Sequence, residues 1–387
     1  MRTNEAYSIL DIVNEEYGII LTKGGNVCIS FKVKEPECYS LSREDIDLRD
    51  KMLKEAFRFL PEGCYIHKQD IFQKKYYHSV PMNWSFLDIA DAKHFENRLY
   101  MQHTCVLHFV LTGLNSLEKS YISSPLKYKE KLHKDDLEKL SNFLEAINNC
   151  ISILKNLRDT QIISIKGDEL RNLILGYSNL FVETNAITDI HVDNELHVGK
   201  IKARYFCICD ETMFPDNSVS SYVKDSSLPM ANAELYHPLL EELGMYLPYN
   251  HIVNQIIYLE GNEKLRAQIA RNIDIYGSNS SMSKSIKVQF EKLDKLQEEI
   301  LEENEILVRT HFSVCIFDES GSNLDKAEKT VKETLNINQF KYYIPGYENL
   351  AKIHFSCVPG QISCMPKEYL VLTTLPIAIC LFLQCSE

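Results

Sequence analysis

The stretch Gly63-Cys64-Tyr65-Ile66-His67-Lys68-Gln69-Asp70-Ile71-Phe72-Gln73-Lys74-Lys75-Tyr76 decides how this chain is read. Tyr65, His67, Gln69 and Ile71 recur at a period of two, which predicts a strand. His67 and Asp70 are three apart and point to opposite faces, so local geometry does not make them an acid–base pair. Lys68 and Asp70 share a face and are placed to pair as ions.

On the N-terminal side, Tyr17 to Thr22 and Asn26 to Lys34 are apolar runs joined by Lys23-Gly24-Gly25. The glycines supply the positive φ of a tight hairpin. Ser42 followed by Glu44 and Asp45 reads as a helix cap. Leu48, Met52, Ala56 and Leu60 then carry a helix to Pro61. On the C-terminal side, Asn83 to Tyr100 is predicted helical and His103 to Thr112 a buried strand. Gly113 to Asp136 reads as a polar surface crossing. Leu137, Leu140, Phe143, Leu144, Ile147, Ile151 and Leu154 form a helical stripe. A strand from Ile162 to Ile165, a helix from Gly167 to Tyr177 and a meander from Ile187 to Asp210 follow. The meander turns at Asp193-Asn194 and Gly199-Lys200.

Thr212 to Ala233 holds five serines and two prolines with little periodicity, and reads as a flexible loop or boundary. Beyond it, His251 to Glu260 is predicted a strand. Leu265, Ile269 and Ile273 mark one helix, and Ile286, Phe290, Leu293, Leu296 and Ile300 a second, highly charged one. Ile306 to Asp318 reads as a strand, Asn323 to Leu335 as a helix and Lys352 to Val358 as a strand. Leu370 to Cys385 is apolar but broken by Pro376, and reads as buried helix and strand rather than a membrane span.

With 387 residues, the chain exceeds the size at which one core stops growing, about 250–300 residues. The expected class is α+β: two lobes of mixed sheets flanked by helices, with no RecA-like motor domain. The lobes are expected at 1–211 and 234–387, with 212–233 between them. A net charge of −12 argues against a nucleic-acid partner and for a protein one. The N-terminus has neither the basic nor the apolar region of a signal peptide. Twelve cysteines are scattered without any C-x-x-C spacing, which predicts reduced, buried thiols.

Gly277-Ser278-Asn279-Ser280-Ser281-Met282-Ser283-Lys284-Ser285 is the nearest approach to a phosphate loop. It departs from G-x-x-x-x-G-K-[ST] in lacking the second glycine, in its lysine position and in following a helix. The plainer reading is an inter-helix loop with Ser283 or Ser285 as a cap. His191 and His197 flank Asp193 and Glu195 around a turn, and are read as strand-edge histidines rather than metal ligands. No catalytic, cofactor-binding or metal residue is assigned, and the chain is not expected to be an enzyme.

Several segments resemble the N-terminal half of the TraG-type conjugation ATPases of type IV secretion machines. They are the Gly-turn hairpin, His67-Lys68-Gln69-Asp70, Glu195-Leu196-His197-Val198-Gly199, Leu247 to Gln255, and Val358-Pro359-Gly360. The resemblance runs along the chain and implies an assembly half that precedes a Walker-type motor domain. ATP and Mg would belong to that motor, which would begin about where this sequence stops. The implied partners are inner-membrane components of a conjugation apparatus, copies of itself and its own motor domain. The implied location is cytoplasmic, peripheral on the inner face of the bacterial inner membrane. Two alternatives stand beside this reading: a free-standing nucleotide- or phosphate-binding protein using Gly277–Ser285, and a truncated relic.

Overall fold

Glycine sets the first turn. Gly25 sits at φ 74° between β2 (Gly18–Thr22) and β3 (Val27–Lys34), and its N–H donates to Thr22 O at 3.1 Å. This is the predicted hairpin, with β1 (Ile9–Asn14) added outside β2. The computed structural model describes residues 9–14, 17–34, 42–79, 85–114, 133–157, 160–181, 188–215, 222–224, 236–244, 246–279, 281, 283–303 and 305–381. Most of the predicted crossing at 113–136 and much of 212–233 lie outside them.

Helix α1 (Arg43–Phe57) starts in a capping box: Ser42 Oγ accepts from Asp45 N at 3.2 Å, and the Asp45 carboxylate accepts from Ser42 N at 3.3 Å. Its buried stripe is Ile46, Leu53, Ala56 and Phe57, whereas Leu48 points to solvent. Strand β4 (Cys64–Tyr76) is the quoted stretch. Helix α2 is only Phe86–Phe95; of the predicted Asn83 to Tyr100 helix, 96–98 form a turn, Leu99 and Tyr100 open β5 (Leu99–Leu111), and Asn83 lies outside the described residues. Helix α3 (Lys134–Leu154) buries Phe143, Ile147, Ile151 and Leu154 of its predicted stripe together with Cys150, whereas Leu137 is exposed and Leu140 and Leu144 are half-buried. β6 (Gln161–Ser164), α4 (Gly167–Ser178) and the meander β7 (Ile190–Val192), β8 (Leu196–Val198) and β9 (Ile201–Ile208) follow.

A small ribbon pairs β10 (Tyr222–Lys224) with β11 (Tyr236–Pro238). β12 (His251–Tyr258), α5 (Asn262–Asn279), α6 (Lys284–Glu303), β13 (Leu307–Asp318) and α7 (Gly321–Ile337) match the predicted order. Lys352 to Val358, expected as a strand, belongs instead to α8 (Tyr347–Ser356) and the turn after it. Leu350, Ile353, His354 and Cys357 are all buried at helical spacing. Ile353 to Val358 are buried without a break, and such a run hides the helical period that Glu348 and Lys352 mark on the exposed side of the helix. β14 (Val371–Thr374) and α9 (Leu375–Cys380) end the described chain, a buried strand and helix as expected.

The class is α+β. The main sheet has 12 strands in the order β1-β2-β3-β5-β4-β12-β13-β9-β8-β7, with β6 beside β3 and β14 beside β13. Every pairing in it is antiparallel. Residues from both predicted lobes contribute, since β12 lies between β4 and β13, and β13 between β12 and β9. β12 is buried along almost its whole length, so it needs strand neighbours on both sides.

Helices cover both faces, giving three layers. On one face α1, α3 and α9 pack over Ile29, Ile66 and Phe109, while α7 packs over Val253, Phe312 and Val314. On the other, α4 and α8 pack over Cys28, Val106, Ile252 and Cys315. The turn after α8 lies directly on that face. Gly360 has φ 84°, and a Cβ there would come within 3.3 Å of Cys28 Cβ.

Candidate functional site

Three places bear on function: the polar centre of the sheet, the α5–α6 hairpin, and the turn between β7 and β8.

The polar centre is built by strand register. Ser30 on β3 is opposite His108 on β5, His108 is opposite His67 on β4, and Gln69 is opposite Asn254 on β12. All five side chains are fully buried on the face covered by α8. Ser30 Oγ donates to His108 Nδ1 at 2.7 Å, and His108 Nε2 donates to Gln69 Oε1 at 2.9 Å. Gln69 Nε2 then donates to Asn254 Oδ1 at 2.8 Å and to Cys357 O at 2.9 Å. His67 Nε2 donates to Asn254 Oδ1 at 3.1 Å. The result is a hydrogen-bonded ladder across four strands, tied to the helical layer through α8.

Burial governs these imidazoles. It pushes His67 and His311 down to about 4 and His354 to about 3, and holds His108 well below its usual range. All four are therefore neutral at pH 7. Among the described residues, Asn254 Nδ2 and His67 Nδ1 reach no hydrogen-bond partner.

The opposite face of β4 carries charge. Lys68 pairs with Asp70, as predicted, and His103 Nε2 on β5 donates to Asp70 Oδ1 at 3.0 Å. The His103 contact was not legible in the sequence, because it depends on which strand lies beside β4. Burial raises the Asp70 carboxyl, but the Lys68 ammonium and His103 more than offset this and hold it at about 2. Lys68 also borders a cavity of about 40 Å³ lined by Arg49, Phe57, Cys105 and Leu154. That is room for a water or two, far below the roughly 300–1,000 Å³ of a ligand pocket. Lys68, Asp70 and His103 thus form a structural ion cluster with no space for a substrate.

The α5–α6 hairpin is inserted between two adjacent strands, β12 and β13. It meets the body at its base, where Leu265, Ile269 and Ile300 pack on Leu307 and Leu372. Farther out, Ile275 and Val288 are about half exposed, at 50% and 49%. At 18 and 20 residues the helices run for about 27–30 Å. Gly277, Ser278 and Asn279 form the last turn of α5, and Ser278 Oγ donates to Asp274 O at 2.7 Å. A Cβ on Gly277 would meet the Phe290 ring at 3.1 Å, so this glycine serves helix–helix approach. Lys284 is the first residue of α6. A phosphate loop needs free N–H groups curled around an anion, whereas Gly277 to Asn279 commit theirs to a helix.

At the third place, His191 and His197 face each other across β7 and β8, with ring centres 6.0 Å apart. Asp193 lies 3.8 Å from His191 Nε2 and 3.5 Å from His197 Nε2. The turn therefore brings all three together, which strand alternation alone did not indicate. The Glu195 backbone N–H, and then the two imidazoles, hold the Asp193 carboxyl below its usual range. Among the described residues no group of three His, Cys, Asp or Glu side chains is arranged to hold a metal ion.

Eight of the ten described cysteines are buried. Burial pushes the Cys28, Cys150 and Cys357 thiols up to about 12. They are protonated at neutral pH and act as small apolar side chains. No helix among the described residues is long and apolar enough to cross a membrane. A scan against protein-family models returns no match, and a search of curated proteins returns no relative.

Proposed function

We propose that this chain is a non-catalytic assembly and docking domain of a conjugative-transfer, type IV secretion ATPase. It self-associates and contacts inner-membrane transfer components from the cytoplasmic side. In this reading it carries no catalytic residue, metal or cofactor of its own, and ATP and Mg belong to the motor it serves. No direct contact with nucleic acid is assigned to it.

The observation that carries the proposal is the α5–α6 hairpin, a long helical arm anchored at its base to a rigid sheet. Presenting an arm from a stiff scaffold suits docking, because the scaffold fixes the arm before a partner arrives. The resemblance segments add support of a different kind. His67 to Asp70 lie on β4, Glu195 to Gly199 include β8, Leu247 to Gln255 enter β12, and Val358 to Gly360 follow α8. They are spread over several elements of the sheet and its helical layer and do not converge on one site.

Sedimentation velocity tests the self-association. The wild-type chain is expected to associate with rising concentration, and an Ile275→Glu/Val288→Glu variant to remain monomeric with an unchanged circular dichroism spectrum. A wild-type chain that stays monomeric at every concentration removes the hairpin from this role. Micromolar binding of MgATP by calorimetry would overturn the non-catalytic reading altogether.

A further inference from the structure

The β4–β5 hairpin outruns the sheet. The β12 pairing on β4 ends at Phe72, and the β3 pairing on β5 ends at Cys105. From Gln73 to Tyr76 and Leu99 to Gln102 the two strands pair with each other and with no third strand among the described residues; Lys74 N still donates to Asn250 Oδ1 at 2.7 Å, and Met101 still packs on the core. The pairing continues outward, with Tyr77 N donating to Arg98 O at 2.9 Å and Asn97 N to Tyr77 O at 2.8 Å. Helix α2 sits at the end of this ribbon, and Ala92 is its one fully buried side chain among those described.

The exposed residues here are large and apolar. Leu87 is 71% exposed and Tyr76 63%, and Leu99, Phe95, Tyr100 and Ile89 are also exposed. A patch of this kind on a folded chain marks a contact surface. Its geometry selects the partner. Tyr76 and Leu99 are directly opposite on one face of the ribbon, whereas Tyr100, opposite Lys75, lies on the other. A flat protein partner would cover one face and leave the other wet. A wedge with apolar groups on both faces and around a terminal helix is satisfied by a medium that surrounds it.

Charge and composition agree with a lipid interface. From Gln73 to Tyr100 the basic residues Lys74, Lys75, Lys93 and Arg98 outnumber Asp88, Asp91 and Glu96, on a chain of net charge −12. Tyrosines and basic side chains flanking apolar ones are what the headgroup region accepts, and basic residues are drawn to anionic leaflets.

We infer that the β4–β5 tip with α2 is a lipid-interface wedge, which enters the headgroup region of an anionic bilayer. It extends the docking reading by adding a direct lipid contact, yet it stands on its own geometry.

The test is flotation of the full chain with phosphatidylglycerol/phosphatidylethanolamine vesicles, against phosphatidylcholine vesicles. The wild-type chain is expected to float with the anionic vesicles. Leu87→Asp/Leu99→Asp is expected to lose binding by about tenfold or more. Ile337→Asp, an equally exposed apolar site at the end of α7, is expected to float like the wild type. Wild-type protein that stays unbound with both vesicle types overturns the wedge, as does a double variant that floats normally. A lipid-free dimer that the double variant abolishes overturns it in favour of a second copy on the tip. A dimer through the tip would survive Ile275→Glu/Val288→Glu and one through the α5–α6 hairpin would survive Leu87→Asp/Leu99→Asp, so the two readings fail separately.

Discussion

The inner and outer halves of the β4–β5 hairpin invert the usual relation between polarity and burial. The inner half places His67, Lys68, Gln69 and Asp70 in full burial in mid-sheet, with His103 and His108 beside them. The outer half places Tyr76, Tyr77, Leu99 and Tyr100 in solvent. The inner polar groups are tolerated because neighbouring strands supply partners at the correct register. Among the described residues, Tyr76, Leu99 and Tyr100 remain exposed. Within a single hairpin, the polar residues therefore serve the fold, and in the wedge reading the apolar ones serve an outside contact.

Acid should break this contrast most strongly. His67, His108, His311 and His354 have an ordinary value of 6.5 and are depressed by burial. Below 6.5 the unfolded chain takes up protons that the folded chain refuses. Stability is therefore complete above 6.5 and drains as pH falls toward about 4. His251, pushed down to about 4 by burial, adds a fifth site, and the loss is on the order of several kcal/mol, against a total of about 5–15 kcal/mol for a typical domain. Urea midpoints measured from pH 7.5 to 4.5 should fall steadily. A flat profile would mean that these imidazoles are hydrated in the folded state.

Asp70→Ala is the next largest effect. It leaves the Lys68 ammonium buried without its carboxylate, at a cost of about 3–5 kcal/mol, readable in chemical denaturation. A loss under about 1 kcal/mol would show that Lys68 reaches water. At the small end, Leu87→Ser on α2 should change stability by less than about 0.5 kcal/mol. A larger loss would show that α2 is packed on the body, and the contrast between the two halves would collapse.

The legible parts of the fold were those with local causes. The Gly25 turn, the Ser42 capping box and the α3 stripe depend on residues close in sequence, and each appears where predicted. Lys352 to Val358 reads as a strand because the six residues after Lys352 are all buried, and a continuous buried run carries no helical period. Leu48 was placed on the buried stripe of α1 because four-residue spacing alone does not say which face the sheet will cover. The ion pair of Lys68 and Asp70 followed from strand alternation, whereas the His103 contact and the His108–Gln69–Asn254 ladder required the order β3-β5-β4-β12.

The sequence by itself determined the α+β class, most element positions, the buried thiols and the pairing within the Tyr17–Lys34 hairpin. These depend on periodicity, capping and turn chemistry, which act over a few residues. Tertiary structure alone decided that β12 and β13 enter the sheet between β4 and β9, and so which polar groups find partners. It also decided where the β4–β5 ribbon leaves its neighbours. The physical reason is that strand adjacency is a choice among distant segments, made by burial on both faces at once, and no local pattern records it.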